Sequence, residues 1–533
     1  MGRIVGLARL VRAFGRQLSD FARAKRGAVA VQFAVMALPL AVLSFGLVDV
    51  DRASTQRKSL QDALDAATLM AARSSATTDA QLKTIGDAAL GGQLGSLKDA
   101  TLTTSNFHAN GSTVIGTATL KVKPVIANLW LNGDMTVDAN SEVVRSINKL
   151  EVVMVLDNTG SMASNNKLVN LKLAANNLVD TLSTAAARST EPHPVKIGLV
   201  PFSMAVRIGS TTEIATYKTA WWMDTTGASP VNDQIFTTAT GTQHANRFTL
   251  LTQMGVTWAG CVEVRPAPYD VQDTAPNAAT PSTLFEPYFW PDEPDPQASG
   301  KNGDFGTFYN NYLTDKKFST TNWKVPQGDI TKYTKAPKTG TNATTGYTYG
   351  PNAGCTMQPL MRLTENWASL KTSINAMTAV GETHIPSGLI WGWHVLSPNA
   401  PFSDGVAYGT AKTTKIAILM TDGDNTFTAN DNNNDSYYED YGYIWQNRLG
   451  TTSSNEGTRT TAIDNRLKLL CDNMKAKGIV IYSVGVIVSD SSKALLTYCA
   501  TDANHYYDVT SSANITAAFS AIAGSIENLR ISH

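Results

Sequence analysis

The stretch Lys149–Met162 reads KLEVVMVLDNTGSM, and its reading decides the fold. Val152 to Leu156 is an apolar run, rich in valine and too short for a helix, so it predicts a buried strand. It delivers Asp157, Thr159 and Ser161 into a turn marked by Gly160. From Lys167 to Leu182 the residues Leu168, Leu171, Ala175, Leu178 and Leu182 recur at helical spacing. A carboxylate and two hydroxyls are thus expected at the carboxyl end of a central strand, where open α/β sheets bind their ligands.

One carboxylate and two neutral hydroxyls form a hard, oxygen-only donor set, which suits Mg²⁺, Mn²⁺ or Ca²⁺. Alone, they leave a dication under-neutralised and short of ligands. Two later segments can complete the set. Gly381-Glu382-Thr383 opens a predicted helix, and ILMTDGDN places Asp422 after a second buried strand, Lys415 to Met420. DNTGSM, Thr383 and Thr421-Asp422-Gly423, in that order, resemble the metal-ion-dependent adhesion site of von Willebrand factor type A (vWA) domains. The resemblance implies that Asp157, Thr159, Ser161, Thr383 and Asp422 hold one divalent cation. That family usually has serine where Thr159 stands. Threonine keeps the hydroxyl and adds a methyl, so metal binding is expected to persist. Two alternatives stay open: the first segment by itself also reads as a strand-to-helix turn with capping side chains, and a vWA fold can leave its site empty.

The chain has 533 residues, room for about two to four domains. Its net charge is zero, which argues against nucleic acid as a partner. The zero hides an asymmetry. Residues 1–26 carry seven basic groups against one acid, Asp20, so the remainder is net acidic by six. The four cysteines, Cys261, Cys355, Cys471 and Cys499, contain no CxxC, which disfavours a zinc ribbon or a thioredoxin-like motif. Four cysteines allow three pairings. Cys261–Cys355 within one inserted region and Cys471–Cys499 flanking one strand are favoured, against four reduced buried thiols; the compartment decides.

At the N-terminus, Ile4, Leu7, Leu10, Val11, Phe14, Leu18 and Phe21 share one helical face amid arginines. Residues 1–26 therefore read as a basic amphipathic segment on an anionic membrane surface, or as a flexible cytoplasmic tail. Residues 27–48, GAVAVQFAVMALPLAVLSFGLV, carry no charge and match the ~20 residues needed to cross a bilayer, where Pro39 is tolerated. Basic residues before the run and Asp49 and Asp51 after it place residues 1–26 in the cytoplasm and the rest outside. No small-residue cleavage site follows directly, so a cleaved signal peptide is disfavoured; an organelle transit peptide is a minor alternative. Beyond the span, Leu60, Ala63, Leu64, Ala67 and Met70 form a stripe that predicts one continuous helical rod. RGAVAVQFA followed by DRASTQRKSLQDALDAATLMAAR resembles the Flp (tight adherence) pilus-assembly TadG-like family. Pilin-like relatives there carry glutamate five residues after a cleaved glycine. Gln32 stands in that place here, so an uncleaved anchor is expected. The resemblance implies a single-pass protein of the bacterial inner membrane with its C-terminal part periplasmic or extracytoplasmic.

Residues 49–148 are read as this helix plus a small β-rich subdomain over 100–147, with turns at Asn110-Gly111 and Asn132-Gly133-Asp134. Residues 149–533 form the vWA head. Val195–Phe202 is its second strand. Residues 211–359, rich in Thr, Asn, Pro, Gly and aromatics, are an inserted subdomain, since a structureless loop of that length would be abnormal. WAGCVEVRPAPYD, LFEPYFWPDEPD and GPNAGC in it also resemble the TadG-like family. Its acids Glu286, Asp292, Glu293 and Asp295 read as a partner surface, a cap on the metal face, or part of a solvated loop with buried aromatic anchors. A helix is predicted over Leu360–Met377. Asp431, Asn433 and Asp435 match the start of a calcium loop, but Ser436 and Gly442 break it, so an exposed polar loop is the default. Helix Asp464–Lys477, strand Ile479–Val486, helix Ser491–Cys499, strand His505–Val509 and helix Ile515–Leu529 follow. The alternation predicts an α/β fold with a doubly wound, mostly parallel sheet.

An enzyme needs a nucleophile, a base or a cofactor cradle. The chain has no GxSxG, P-loop or HExxH. A hydroxyl-based site keeps its cation electrophilic and leaves a position for a carboxylate from a partner protein. The expected function is therefore metal-dependent protein–protein interaction, in assembly or anchoring of Flp-type pili or in surface adhesion. The alternatives are a passive envelope scaffold and a metal-assisted hydrolase dependent on Glu382 or His384.

Overall fold

The computed structural model describes residues 27–531, apart from 75, 77, 96–99, 112, 125–132, 145–147, 188, 190, 239, 240, 243, 295–308, 315–322, 431 and 432. The basic segment 1–26, Asp295 and Asp431 lie outside the described residues. The chain divides into two compact units, Met1–Arg145 and Ser146–His533.

In the first unit, α1 (Gly27–Arg73) is one continuous helix, so the uncharged run and the stripe after it share a rod, with Pro39 inside it. Leu60, Ala63, Leu64 and Ala67 are buried as their spacing requires, but Met70 is 55% exposed and Ala71 takes the inward position. This face packs with α2 (Asp79–Leu94) and with a sheet of β1 (Ala100–Asn110), β2 (Thr113–Val122) and β3 (Met135–Val144). Both strand pairs are antiparallel. Phe107 fills the centre because two glycines make room: a Cβ on Gly86 would lie 2.4 Å from its ring, and one on Gly116 3.0 Å. The first half of α1 differs. Phe33, Val35, Met36, Leu40 and Leu47 are exposed. Among the described residues no helix is long and apolar enough to cross a membrane. The expected span at 27–48 is described only in part, since the side chains of 27–31, 38, 41–43 and 45 lie outside the description.

The second unit is built on a six-stranded sheet. Its strands are β4 (Lys149–Asp157), β5 (Val195–Phe202), β6 (Met361–Thr364), β7 (Thr413–Thr421), β8 (Val480–Val486) and β9 (Tyr506–Val509). Their order is β6-β5-β4-β7-β8-β9, parallel except for β6. Chain direction across the sheet reverses between β4 and β7, the switch point where ligands bind in such folds. Strand periodicity sorts the core. Val152, Met154 and Leu156 pack with α3 (Lys167–Ala187), α4 (Trp367–Ala376) and α8 (Ile515–Ile531). Val153 and Val155 face α5 (Ile385–Leu396), α6 (Glu456–Ala476) and α7 (Asp490–Cys499). Mixed α/β architecture with a mostly parallel sheet agrees with the sequence reading. One element differs: Met361–Thr364 is an edge strand, not the start of a helix. Asn366, whose side chain accepts from Ser369 N, caps the helix that begins at Trp367. The open edge of β5 captures the segment before that cap.

The long insertion has few regular elements, yet its aromatics Tyr288, Trp290, Tyr312 and Tyr333 share one core with Val153, Val155 and Trp391. Its acids are not a surface. Glu286, Asp292 and Glu293 are 2%, 0% and 0% exposed. Asp292 accepts from Tyr312 N and Leu313 N at 2.6 and 2.7 Å and pairs with Lys332 at 2.9 Å. Glu293 accepts from Tyr309 N, Asn310 N and Tyr443 Oη. Glu286 and Glu263 flank the buried Arg247. Loops without ladder partners must satisfy buried backbone N–H groups, and Asp292 and Glu293 do it, whereas Glu286 pairs with Arg247. The polar stretch after residue 432 is likewise not an exposed loop: Asn434, Ser436, Tyr438, Glu439 and Asp440 are buried. Cys261 is joined to Cys355 and Cys471 to Cys499, the favoured pairing.

Helix α5 lies close on the sheet because Gly388 and Gly392, one turn apart, present no side chain. A Cβ at residue 392 would stand 2.5 Å from Val155 Cγ2, and one at 388 would stand 2.4 Å from the Phe202 ring. Gly392→Ala and Gly388→Ala should each destabilise by about 1–3 kcal/mol through overpacking. Gly524→Ala, in α8 with nothing within 4 Å, should instead stabilise by roughly 0.5–1 kcal/mol. Urea melts of the three variants check both signs.

Candidate metal centre

Asp157 ends β4 and is fully buried. Its Oδ1 accepts from Thr159 N at 2.8 Å and its Oδ2 from Thr421 Oγ1 at 2.7 Å. The second bond follows from register. Parallel pairing sets Met420 beside Leu156, so the next residues, Thr421 and Asp157, meet at the ends of neighbouring strands. A 3₁₀ turn, Gly160–Ala163, then turns Ser161 back over the strand ends. Its Oγ lies 3.0 Å from Thr159 Oγ1 and donates to Asp422 Oδ1 at 2.6 Å.

Thr383 arrives from a third segment that backbone bonds lace to the first. Val380 N donates to Asn158 O at 2.8 Å, and Gly160 N to Gly381 O at 2.9 Å. Gly381 has φ +77, and a Cβ there would sit 3.2 Å from Ser203 Oγ, so only glycine makes this bend without strain. Thr383 N donates to Thr426 Oγ1 and Thr426 N to Thr383 O, both at 2.9 Å, which ties it to the loop after β7. A Cβ on Gly423 would be 4.0 Å from both Ser161 Oγ and Thr383 Oγ1. All five residues named from the sequence therefore converge at the carboxyl ends of β4 and β7. Among the described residues the Thr383 hydroxyl makes no hydrogen bond, although the residue is 6% exposed. An unengaged hydroxyl beside two others and two carboxylates fits a hard dication. No group of three or more His, Cys, Asp or Glu side chains among the described residues could hold a metal, so any metal here depends on the hydroxyls.

The electrostatics are those of a site lacking positive charge. Burial, then the neighbouring Asp422, push the Asp157 carboxyl up to about 6, against the hydrogen bonds from Thr159 and Thr421. One cation is already present. Lys167, the first residue of α3, places Nζ 2.7 Å from Asp422 Oδ2, with both side chains buried. Sequence reading used Lys167 only as a helix start; nothing local to it signals this contact.

His384 is excluded as a ligand or base. Its Nδ1 lies 2.6 Å from Asp440 Oδ1 and its Nε2 2.5 Å from Glu439 Oε2, fully buried. Burial alone would lower its pKa, but the two carboxylates outweigh burial and hold the ring protonated. Burial in turn pushes Glu439 up to about 7, partly offset by His384. His394 sits on the last turn of α5, about 13 Å along the helix from its first residue, Ile385, by the rise per residue.

Asp157 titrates higher in the fold, near 6, than the 3.8 of an unperturbed carboxyl. The fold is thus favoured by its protonation, and that contribution is lost as pH rises through about 6. With chelator present, Asp157→Asn should stabilise the protein at pH 8 by on the order of 1–3 kcal/mol. The gain should vanish below pH 4. Denaturant titrations across pH test this; a constant difference would refute it.

Residues 27–74 match the family described as putative Flp pilus-assembly TadE/G-like. No curated protein matches the chain. Among solved structures, similarity is found to the vWF domain of the type V pili tip protein Mfa5 from Porphyromonas gingivalis. It covers 73% of this chain and 97% of that one, with 14% identity and a TM-score of 0.32. The pilus adhesin RrgA from Streptococcus pneumoniae matches at 11% identity and a TM-score of 0.33, over 79% of this chain and 48% of that one. The adhesive tip pilin GBS104 from Group B Streptococcus agalactiae matches at 12% and 0.33, over 71% and 100%. The chain spans about half the length of the pneumococcal adhesin. At these TM-scores the fold rests on strand order and register alone. What the family comparison does identify is the helical segment 27–74, which is similar to Flp pilus-assembly TadE/G-like proteins.

Proposed function

We propose that this chain is a membrane-anchored vWA protein that binds a divalent cation and, through it, an acidic residue of a partner protein in Flp-type pilus assembly or adhesion. The observation that carries this is the convergence of Thr159 Oγ1, Ser161 Oγ, the Thr383 hydroxyl and the carboxylates of Asp157 and Asp422 at the sheet's switch point. Mg²⁺ is the first candidate, with Ca²⁺ or Mn²⁺ as substitutes. These five side chains would hold the ion. The ion would supply an electrophilic position for a carboxylate, and His384, engaged by Glu439 and Asp440, is not free to act as a base beside it. The anchor reading rests on the uncharged run 27–48, the exposed apolar side chains of α1 and the family match there. It places the head outside the inner membrane of a bacterium.

A second reading, a passive envelope scaffold, is favoured by one contact: the ion pair of Lys167 with Asp422 satisfies that carboxylate from within the chain. Calorimetry with Mg²⁺ and Ca²⁺ separates the two. The adhesion reading expects binding heat from the wild type, none from Asp157→Ala, and partner recovery from membranes that chelator abolishes. No heat and no thermal shift would leave the scaffold reading standing.

A further inference from the structure

Lys167 is placed where a helix does not want it. It is the first residue of the 21-residue α3, so its charge meets the positive end of the helix dipole. Two left-handed residues lead into it, Asn165 and Asn166 with φ 54 and 55. Asparagine tolerates that conformation, and the paired bend delivers the lysine onto the site. Its side chain is 9% exposed, and Nζ lies 2.7 Å from the unexposed Asp422 Oδ2. The other oxygen of the same carboxylate accepts from Ser161. Desolvating an ammonium at the unfavourable end of a helix is costly, and Asp422 is what offsets that cost.

We propose that Lys167 is a tethered competitor that sets how tightly this site holds a divalent cation. The inference rests on the metal-binding reading above. With the ammonium on Asp422 Oδ2, an incoming dication meets a carboxylate already half neutralised, and a like charge stands within the same buried pocket. Two carboxylates and one ammonium leave a single negative charge to receive two positive ones. The loaded site then carries one net positive charge, so a partner carboxylate would complete its neutralisation. Such a site loads only where free divalent cation is abundant, and loading and partner capture reinforce one another.

The test is Mn²⁺ titration of the detergent-solubilised full-length chain by calorimetry and by electron paramagnetic resonance of free Mn²⁺. Lys167→Gln keeps an amide donor toward Asp422 but removes the charge; Lys167→Met removes both; Lys167→Arg keeps the charge. Gln and Met should tighten Mn²⁺ binding by about tenfold or more, because a nearby unit charge in a poorly solvated site acts strongly. Arg should leave it within about threefold of wild type by the same charge argument. Should Met fail to fold by thermal melt, Gln carries the test. Wild-type binding with Gln equal or weaker overturns the role of Lys167 while the metal reading stands. Absence of Mn²⁺ binding in the wild type and in every folded variant overturns both. Binding that appears only in Gln and Met supports the competitor in its strongest form.

Discussion

The head of this protein depends on the parallel pairing of β4 with β7. That pairing puts two carboxylates, Asp157 and Asp422, at the ends of neighbouring central strands. Both are shielded from water, and the neighbouring Asp422 raises the cost of charging Asp157. Like charges brought together in a buried place require compensation. The surroundings provide it in layers. Backbone N–H and hydroxyl donors from Thr159, Thr421 and Ser161 bind the carboxylate oxygens. Lys167 adds a cationic side chain bonded to Asp422. Three hydroxyls line the remaining side. The sheet therefore gathers two carboxylates and pairs one of them with a lysine.

The same logic governs the rest of the head. Where the chain has no regular hydrogen-bond ladder, buried charge substitutes for it. Arg247 sits between Glu263 and Glu286, and Asp292 and Glu293 collect the N–H groups of passing loops. His384 is held between Glu439 and Asp440 directly beside the Thr383 that faces the site. Removing one member of such a cluster strands the others in a low-dielectric interior. The aromatic core of the insertion runs without a break into the α5 face of the sheet.

The first unit follows a different constraint. A single 47-residue helix spends its second half in a small α/β core and shows apolar side chains over its first half. Leu60, Leu64 and Ala67 have their partners inside the unit; Phe33, Met36 and Leu40 do not.

Much of this was legible in the chain itself. The valine run of β4 and the helical stripe of α1 came from short-range pattern, because strand and helix periodicity are properties of neighbouring residues; the set of three site segments came from the resemblance to vWA adhesion sites, and the cysteine pairing from the place of each cysteine in the insertion or beside a strand. Asp157, Thr159, Ser161, Thr383 and Asp422 were named from sequence and stand together in space. What sequence could not supply were contacts between residues far apart. Lys167 meets Asp422 across 255 residues, and nothing near either one announces it. Met361–Thr364 becomes a strand only because β5 offers a free edge. Asp292 and Glu293 look like surface charge until the loops that need their oxygens fold around them, and Glu286 does so until Arg247 is buried against it. Local pattern set the elements and the ligand chemistry. Long-range packing alone decided which charges were buried, which were neutralised, and by whom.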